Sequence, residues 1–384
     1  MYKALIAAIV LVSTVYVARN LIPILDGKEQ YDFRTYYYAA QAYERGLDPY
    51  NLQSLRDVSG RGIILTFIYP PHCLTILGPL SRIGYSEAYF SFLAAKLLAL
   101  GLLIWIWTRV VPTTRADVWP LLVTALLGYQ GATMVDLIAG NLSIFEQALL
   151  WGGIYLLLRQ KTVLGGVGIF LSSFAKLVTF ALGPVIFIIE RSRKALSIWL
   201  SLSLAVGLVY LASYLAQPEL WDRFISSNIA ASFSEKGHLN PSSLVLSQAI
   251  ASRLGLDATA AIAMYIAWCI LVACIWLWSC RNAFRSQDKY PLLYVTLLAY
   301  VAVSPKMMLY SLMIALLPTL HTISAVVPSR YRPAGCALLW VPLFDYQPLF
   351  LAVGIFFILV HRIYMTRDKP NENMELTLNP LRDL

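Results

Sequence analysis

Charge is scarce in this sequence. Only 13% of its 384 residues are Asp, Glu, Lys or Arg, against 59% hydrophobic, roughly half the charged share of a soluble globular domain. That deficit excludes a water-soluble fold and predicts an integral membrane protein. Cysteine is scarce as well. Cys73, Cys269, Cys274, Cys280 and Cys336 are odd in number and no pair has metal-ligand spacing, so neither a disulfide framework nor a zinc site follows; they read as small buried thiols. No internal repeat is visible, which weighs against a transporter built from inverted halves. No polar stretch is long enough for a separate soluble domain, and no small-residue cleavage site ends the apolar run between Lys3 and Leu25, so that run reads as a retained first helix.

What is present is a succession of about thirteen apolar segments, at 4–25, 67–81, 86–108, 118–138, 141–158, 162–175, 177–189, 195–216, 257–280, 290–304, 307–327, 333–344 and 346–361, each near the length or half-length of a membrane crossing. The net charge of +9 does not point to nucleic acid. Its cations sit in short clusters between apolar segments, at 191–194, 281–289, 330–332 and 362–369, as cytoplasmic loops do under the positive-inside rule. With both termini cytoplasmic the number of crossings must be even, so one segment does not span. The short, proline-led 67–81 is the candidate, re-entrant or lying at the outer surface, while a broken helix between 118 and 158 would also repair the count. The expectation is an all-α polytopic membrane protein with about 12 transmembrane helices. A single membrane-embedded domain would cover 1–365, with outward loops at 26–66 and 217–253 and a cytoplasmic tail at 366–384.

The polar stretch at 30–80 is where chemistry is expected. Asp32 heads a run in which Tyr36, Ala39, Ala40 and Tyr43 recur at helical spacing before Gly46. A helix N-cap accepting from the Thr35 backbone N–H is the plain reading of Asp32, and a second role as a base is compatible with it. Lys176 and Lys306 lie inside apolar segments, where an ionisable group is costly and suggests function. They head the candidates for binding a phosphate, with Arg45, Arg56 and Arg61 of the first loop able to clamp one bidentately. Lys96 sits in a similar position and is expected to snorkel or to pair with Glu146. His72 follows two prolines at the membrane edge, and His238 lies in the second loop. Asp136 and Asn141 flank Gly140, and Asp345 marks a helix break. Aromatic belts account for most of the 23 tyrosines; Tyr36, Tyr37, Tyr38 and Tyr69 are the exceptions.

The order D-F-x-x-Y-Y-x-A-A and G-x-D-P-Y (Asp32 to Tyr50), then F-x-Y-P-P-H (Phe67 to His72) and G-P-L (Gly78 to Leu80), resembles the N-terminal signature of glycosyltransferase family 87. Gly140-Asn141-Leu142, Lys176, the 240–243 segment, Ser304-Pro305 and Leu317-Pro318 continue the resemblance. The chain departs from it at Lys306-Met307-Met308-Leu309-Tyr310. The resemblance implies a GT-C fold and a polyprenyl-phosphate-sugar-dependent glycosyltransferase, similar to bacterial α-mannosyltransferases of glycolipid assembly. It would sit in the bacterial inner membrane and act on a glycolipid or glycan acceptor, among membrane lipids and without nucleic acid. Asp32 would be the general base. Lys176, Lys306, Arg61 and Arg45 would bind the donor phosphate, and Tyr36, Tyr37, Tyr69, His72, Asn141, His238, Asn240 and Tyr310 would line the substrate cavity. No cofactor is expected, and no metal, since one isolated carboxylate makes a poor divalent-cation site. A transporter or flippase of lipid-linked sugar shares many of these features, and a catalytically dead scaffold is the remaining alternative.

Overall fold

The computed structural model describes residues 2–60, 62–110, 118–174, 176–234, 240–283 and 289–366. Helix is the only regular secondary structure among them. In chain order the helices are α1 (Tyr2–Leu25), α2 (Tyr31–Glu44), α3 (Leu52–Ser59), α4 (His72–Ser81), α5 (Tyr85–Val110), α6 (Val118–Ala139), α7 (Ser143–Leu158) and α8 (Thr162–Ser172). There follow α9 (Val185–Glu190), α10 (Arg193–Ala216), α11 (Pro218–Ser234), α12 (Ser243–Arg253), α13 (Ala258–Ala283), α14 (Tyr290–Val303), α15 (Met313–Ala325), α16 (Arg332–Trp340) and α17 (Gln347–Thr366). Each apolar segment marked in the sequence carries a helix.

The chain is an all-α membrane protein. Among the described residues, five stretches are long and apolar enough to cross a bilayer: α5, residues 121–139 of α6, α10, α13 and residues 347–365 of α17. α1, with 24 residues, also has the length of a crossing, whereas the remaining helices are shorter than the ~20 residues a straight crossing needs. α6 departs from helical geometry at Gly128–Gly131, where Tyr129 and Gln130 take left-handed backbone angles. The segment at 177–190 is divided into a 3-10 turn (Leu177–Leu182) and α9 by Gly183-Pro184.

α14 is buried along most of its length, from Leu292 to Leu298 and at Val301 and Ala302, and sits at the centre of the bundle. α10 and α13 lie at the periphery and turn leucines such as Leu200, Leu204, Leu208, Leu271 and Leu277 outward, as a lipid-facing helix does. α7 and α8 meet backbone to backbone. A Cβ on Gly153 would come within 2.7 Å of the Gly165 carbonyl, and one on Gly168 within 2.9 Å of Gly153 Cα, so this is the close small-residue contact favoured between membrane helices. It fixes the first turn of α7 relative to the segment that follows α8.

The two polar loops meet. α11 lies against the first loop through Asn228 Nδ2 donating to the Ile68 carbonyl (2.9 Å) and Gln217 Nε2 donating to the Tyr43 hydroxyl. Arg223 pairs with Asp48 at 3.3 Å, and the Phe224 ring lies 6.0 Å from that of Tyr50.

Candidate active site

The start of α2 is pinned to the turn between α6 and α7 by a close approach that requires glycine. Gly140 has φ +72°, and a Cβ there would lie 2.7 Å from Gln30 Cβ and 3.0 Å from Phe33 Cβ. Gln30 itself takes φ 63° and donates its N–H to the Ile138 carbonyl at 2.7 Å. The turn therefore rests directly on the first turn of α2 and carries Asn141 to Asp32.

Asp32 is not the N-cap that the sequence suggested. Gln30 holds that position, and Asp32 lies within the first helical turn. Its carboxylate is buried and Oδ2 accepts from Asn141 Nδ2 at 2.7 Å. The same nitrogen donates to the Tyr36 hydroxyl at 3.0 Å, and Tyr36 donates to Tyr69 at 3.0 Å. Tyr69 lies 3.4 Å from Asn141 Oδ1. The two phenol rings stand perpendicular with centroids 5.2 Å apart. Tyr50 holds the Tyr69 segment by donating to its carbonyl at 2.8 Å. The hydroxyl, amide and carboxylate groups thus form one small polar cluster inside apolar walls, where each polar group has to be satisfied.

Burial pushes the Asp32 carboxyl up to about 6, from an ordinary 3.8, by penalising its charged form. The Asn141 hydrogen bond and the charges of Lys96 and Lys176 pull it down again, while Asp136 adds to the rise. Burial likewise raises the Tyr36 phenol well above its ordinary range, so it remains a hydrogen-bond donor.

Two lysines lie near this cluster, each with a carboxylate. Lys96 Nζ is 2.7 Å from Asp136 Oδ2, both side chains fully buried, and donates to the Asp136 carbonyl at 2.5 Å. That carbonyl also accepts from the Gly140 and Asn141 N–H groups at 2.9 and 3.3 Å, so the pair anchors the turn presenting Asn141. Lys176 Nζ is 2.9 Å from Glu146 Oε2, donates to Ser143 Oγ at 2.5 Å, and lies 5.1 Å from the centroid of the Tyr310 ring, close enough for a cation–π contact. The pairing of Lys96 with Glu146 expected from sequence is therefore wrong. Lys96 takes Asp136, and Glu146 takes Lys176.

Of the residues singled out in the sequence, Asp32, Tyr36, Tyr69, Asn141, Lys176 and Tyr310 are brought together. Others are not. Arg45 is exposed at the C-terminal end of α2, about 20 Å along the helix from Asp32. Tyr37 turns the other way, donating to the Ile83 carbonyl at 2.7 Å among Phe33, Tyr38 and Tyr85. His72 serves the site from behind: its Nε2 is 2.9 Å from the Phe174 carbonyl, which Tyr210 also reaches at 3.0 Å, and so it holds the chain just ahead of Lys176. Asn240 accepts from the Met307 N–H at 2.8 Å, shaping the loop that carries the half-buried Lys306. Arg61 and His238 lie outside the described residues. Ser143 and the two ion pairs were missed in the sequence, since partners 30 to 40 residues apart leave no spacing to read. The only hint was a serine at the first position of an apolar helix, and that is a common N-terminal residue.

The arrangement offers a buried carboxylate poised near neutral pH, fixed by an amide and flanked by two phenols, with a lysine on the far side of the amide. That is a site for taking a proton from a hydroxyl beside an anionic group. No group of three or more His, Cys, Asp or Glu capable of holding a metal ion occurs among the described residues. The model of glycosyltransferase family 87 matches residues 67–311, well over half of the chain, and Asp32 precedes the matched stretch. No curated protein and no solved structure matches significantly.

Proposed function

Since the chain belongs to glycosyltransferase family 87, we propose that it moves a hexose, mannose-like, from a polyprenyl-phosphate-sugar donor to a glycolipid or glycan acceptor, with Asp32 as general base. The acceptor hydroxyl attacks the anomeric carbon. The bond from that carbon to the phosphate oxygen breaks, the phosphate leaves with the electron pair, and the hydroxyl proton passes to Asp32. Attack opposite the leaving group inverts the anomeric centre, turning a β-linked donor into an α-linked product.

This chemistry explains why one acid suffices. A glycosidase needs two carboxylates because its leaving alkoxide must be protonated, whereas a lipid phosphate leaves as a stable anion whose charge needs only cations. Lys176 is the leading candidate for that task, with Lys306 as the second, and Tyr36, Tyr69, Asn141 and Tyr310 as walls. The site is read as opening to the outer face of a bacterial inner membrane with both termini cytoplasmic. A lipid-linked donor fits that sidedness, because nucleotide sugars are cytoplasmic.

The observation that carries the proposal is the buried Asp32 carboxyl, raised to about 6 and held by Asn141. The free enzyme's kcat/KM is expected to fall on the acid side with a midpoint near pH 6, as the base becomes protonated. The test is reconstituted protein given a radiolabelled polyprenyl-phosphate mannose and membrane-extracted acceptors. Asp32→Asn is expected to lower transfer by at least ~100-fold. Undiminished transfer would remove Asp32 from the role, and movement of the donor across the bilayer without transfer would make the protein a flippase.

A further inference from the structure

Ser143 stands between a cation and the buried carboxylate. Lys176 Nζ donates to Ser143 Oγ at 2.5 Å, Ser143 Oγ donates to Asn141 Oδ1 at 3.0 Å, and Asn141 Nδ2 donates to Asp32 Oδ2 at 2.7 Å. Every donor in this series points from Lys176 toward Asp32. The order is dictated by the chemistry at its first member. A lysine ammonium has donors only, so the serine oxygen must accept from it and the serine hydrogen must go elsewhere. It goes to the amide oxygen of Asn141, and the amide then has only its NH₂ left to face the carboxylate. Turned over, the amide would set its oxygen against Asp32 and leave that charge buried without its donor.

We propose that Ser143 is a positioning residue of the glycosyl-transfer site, passing the orientation imposed by Lys176 to Asn141 and thereby holding an N–H donor on the Asp32 carboxylate. The proposal rests on the reading of Asp32 as the base.

The surroundings leave this work to hydrogen bonds. The charged groups acting on Asp32 are Lys96 from α5, Asp136 from α6, and Lys176 from the segment after α8, with Glu146 of α7 bound to Lys176. Tyr36 of its own helix and Tyr69 of the facing segment are neutral phenols. Each lysine is matched by a carboxylate, so the pull of the two lysines on Asp32 is partly offset. The largest influence favouring the carboxylate is the donor on Oδ2, and its aim is set by the fully buried Ser143 hydroxyl at 3.0 Å from the amide oxygen, a closer contact than that of the Tyr69 hydroxyl at 3.4 Å.

The test is an infrared pH titration of the Asp32 carboxyl in the detergent-solubilised full chain without ligand, with Asp32→Asn identifying the band. Ser143→Ala is expected to move the midpoint up by about one pH unit, the effect of losing most of one hydrogen bond to a charged group. Ser143→Thr, which keeps the hydroxyl, is expected to restore it. Lys176→Met should shift the midpoint upward too, and the double variant no further than the larger single shift. An unchanged midpoint in Ser143→Ala, or single shifts that add in full, overturns the inference, because Lys176 would then act through space alone. Should Ser143→Ala fail to fold, the near-isosteric Ser143→Cys, a weak donor, is expected to shift the midpoint in the same direction, and no shift there is equally fatal. Undiminished transfer by Asp32→Asn sinks the role of base without touching the titration, so the two failures are separable.

Discussion

At the scale of single residues, Asp32 carries the unfavourable electrostatics expected of the base proposed for this site. Its carboxyl sits near 6 in the fold and near 3.8 when exposed, so protonation is favoured by folding. That contribution to stability is fully present below pH 4 and is lost as pH rises through about 6. The prediction is that Asp32→Asn is more stable than the parent at pH 8, by roughly 3 kcal/mol, with the gap closing between pH 6 and 4. Thermal unfolding in detergent across that range checks it, and a constant gap would mean the substitution acts through packing and not through charge.

At the scale of elements, the site depends on the turn between α6 and α7 lying flat on the start of α2. Gly140 combines a left-handed backbone with contacts that leave no room for a Cβ. Gly140→Ala is expected to cost ~2–4 kcal/mol, from the left-handed strain and the overpacking against Gln30 and Phe33 together, and to abolish transfer by displacing Asn141. Gly60, at the end of α3, is also left-handed with φ +59°, but a Cβ there would meet nothing within 4 Å. Gly60→Ala therefore carries only the backbone cost, ~1 kcal/mol, and keeps its activity. Unfolding midpoints for the two variants, with transfer assays beside them, separate the two costs.

The element scale is also where the sequence and the structure part. Tyr36 and Tyr37 are adjacent and equally aromatic, yet successive helical residues point about 100° apart. One meets Asn141 and the other meets the Ile83 carbonyl. Asp32 and Arg45 belong to one motif, but they stand near the two ends of α2, about 20 Å apart. The Phe67 to His72 motif holds both Tyr69, inside the cluster, and His72, which supports Phe174. A linear pattern names such residues together and is silent about the direction in which each points.

At the scale of the whole molecule, the buried Lys96–Asp136 pair joins α5 to α6 beneath the site. Removing one partner from a fully buried pair leaves an uncompensated charge, typically ~3–5 kcal/mol. Lys96→Met is expected to lose that much, whereas Lys96→Met with Asp136→Leu recovers most of it, since apolar replacement of a buried pair is often neutral. A double-mutant cycle by denaturant unfolding measures the coupling. Because the Asp136 carbonyl holds the Gly140-Asn141 turn, the double variant should fold yet transfer poorly. Full activity there would show that the turn is held without the lysine.

The sequence by itself determined the class of protein. Scarce charge and recurring apolar segments dictate membrane helices, because backbone polar groups in a bilayer must be satisfied within the segment, and each segment carries a helix. The family was legible too, although the matched stretch begins at Phe67 and includes F-x-Y-P-P-H without Asp32. Only the tertiary structure decided which ions pair and which groups face Asp32. Lys96 met Asp136 and Lys176 met Glu146, across 40 and 30 residues, in a low-dielectric interior where a buried charge must find a partner wherever the packing brings one. Spacing along the chain carries no record of that choice, whereas the cost of burying a charge alone makes it binding once the helices have packed.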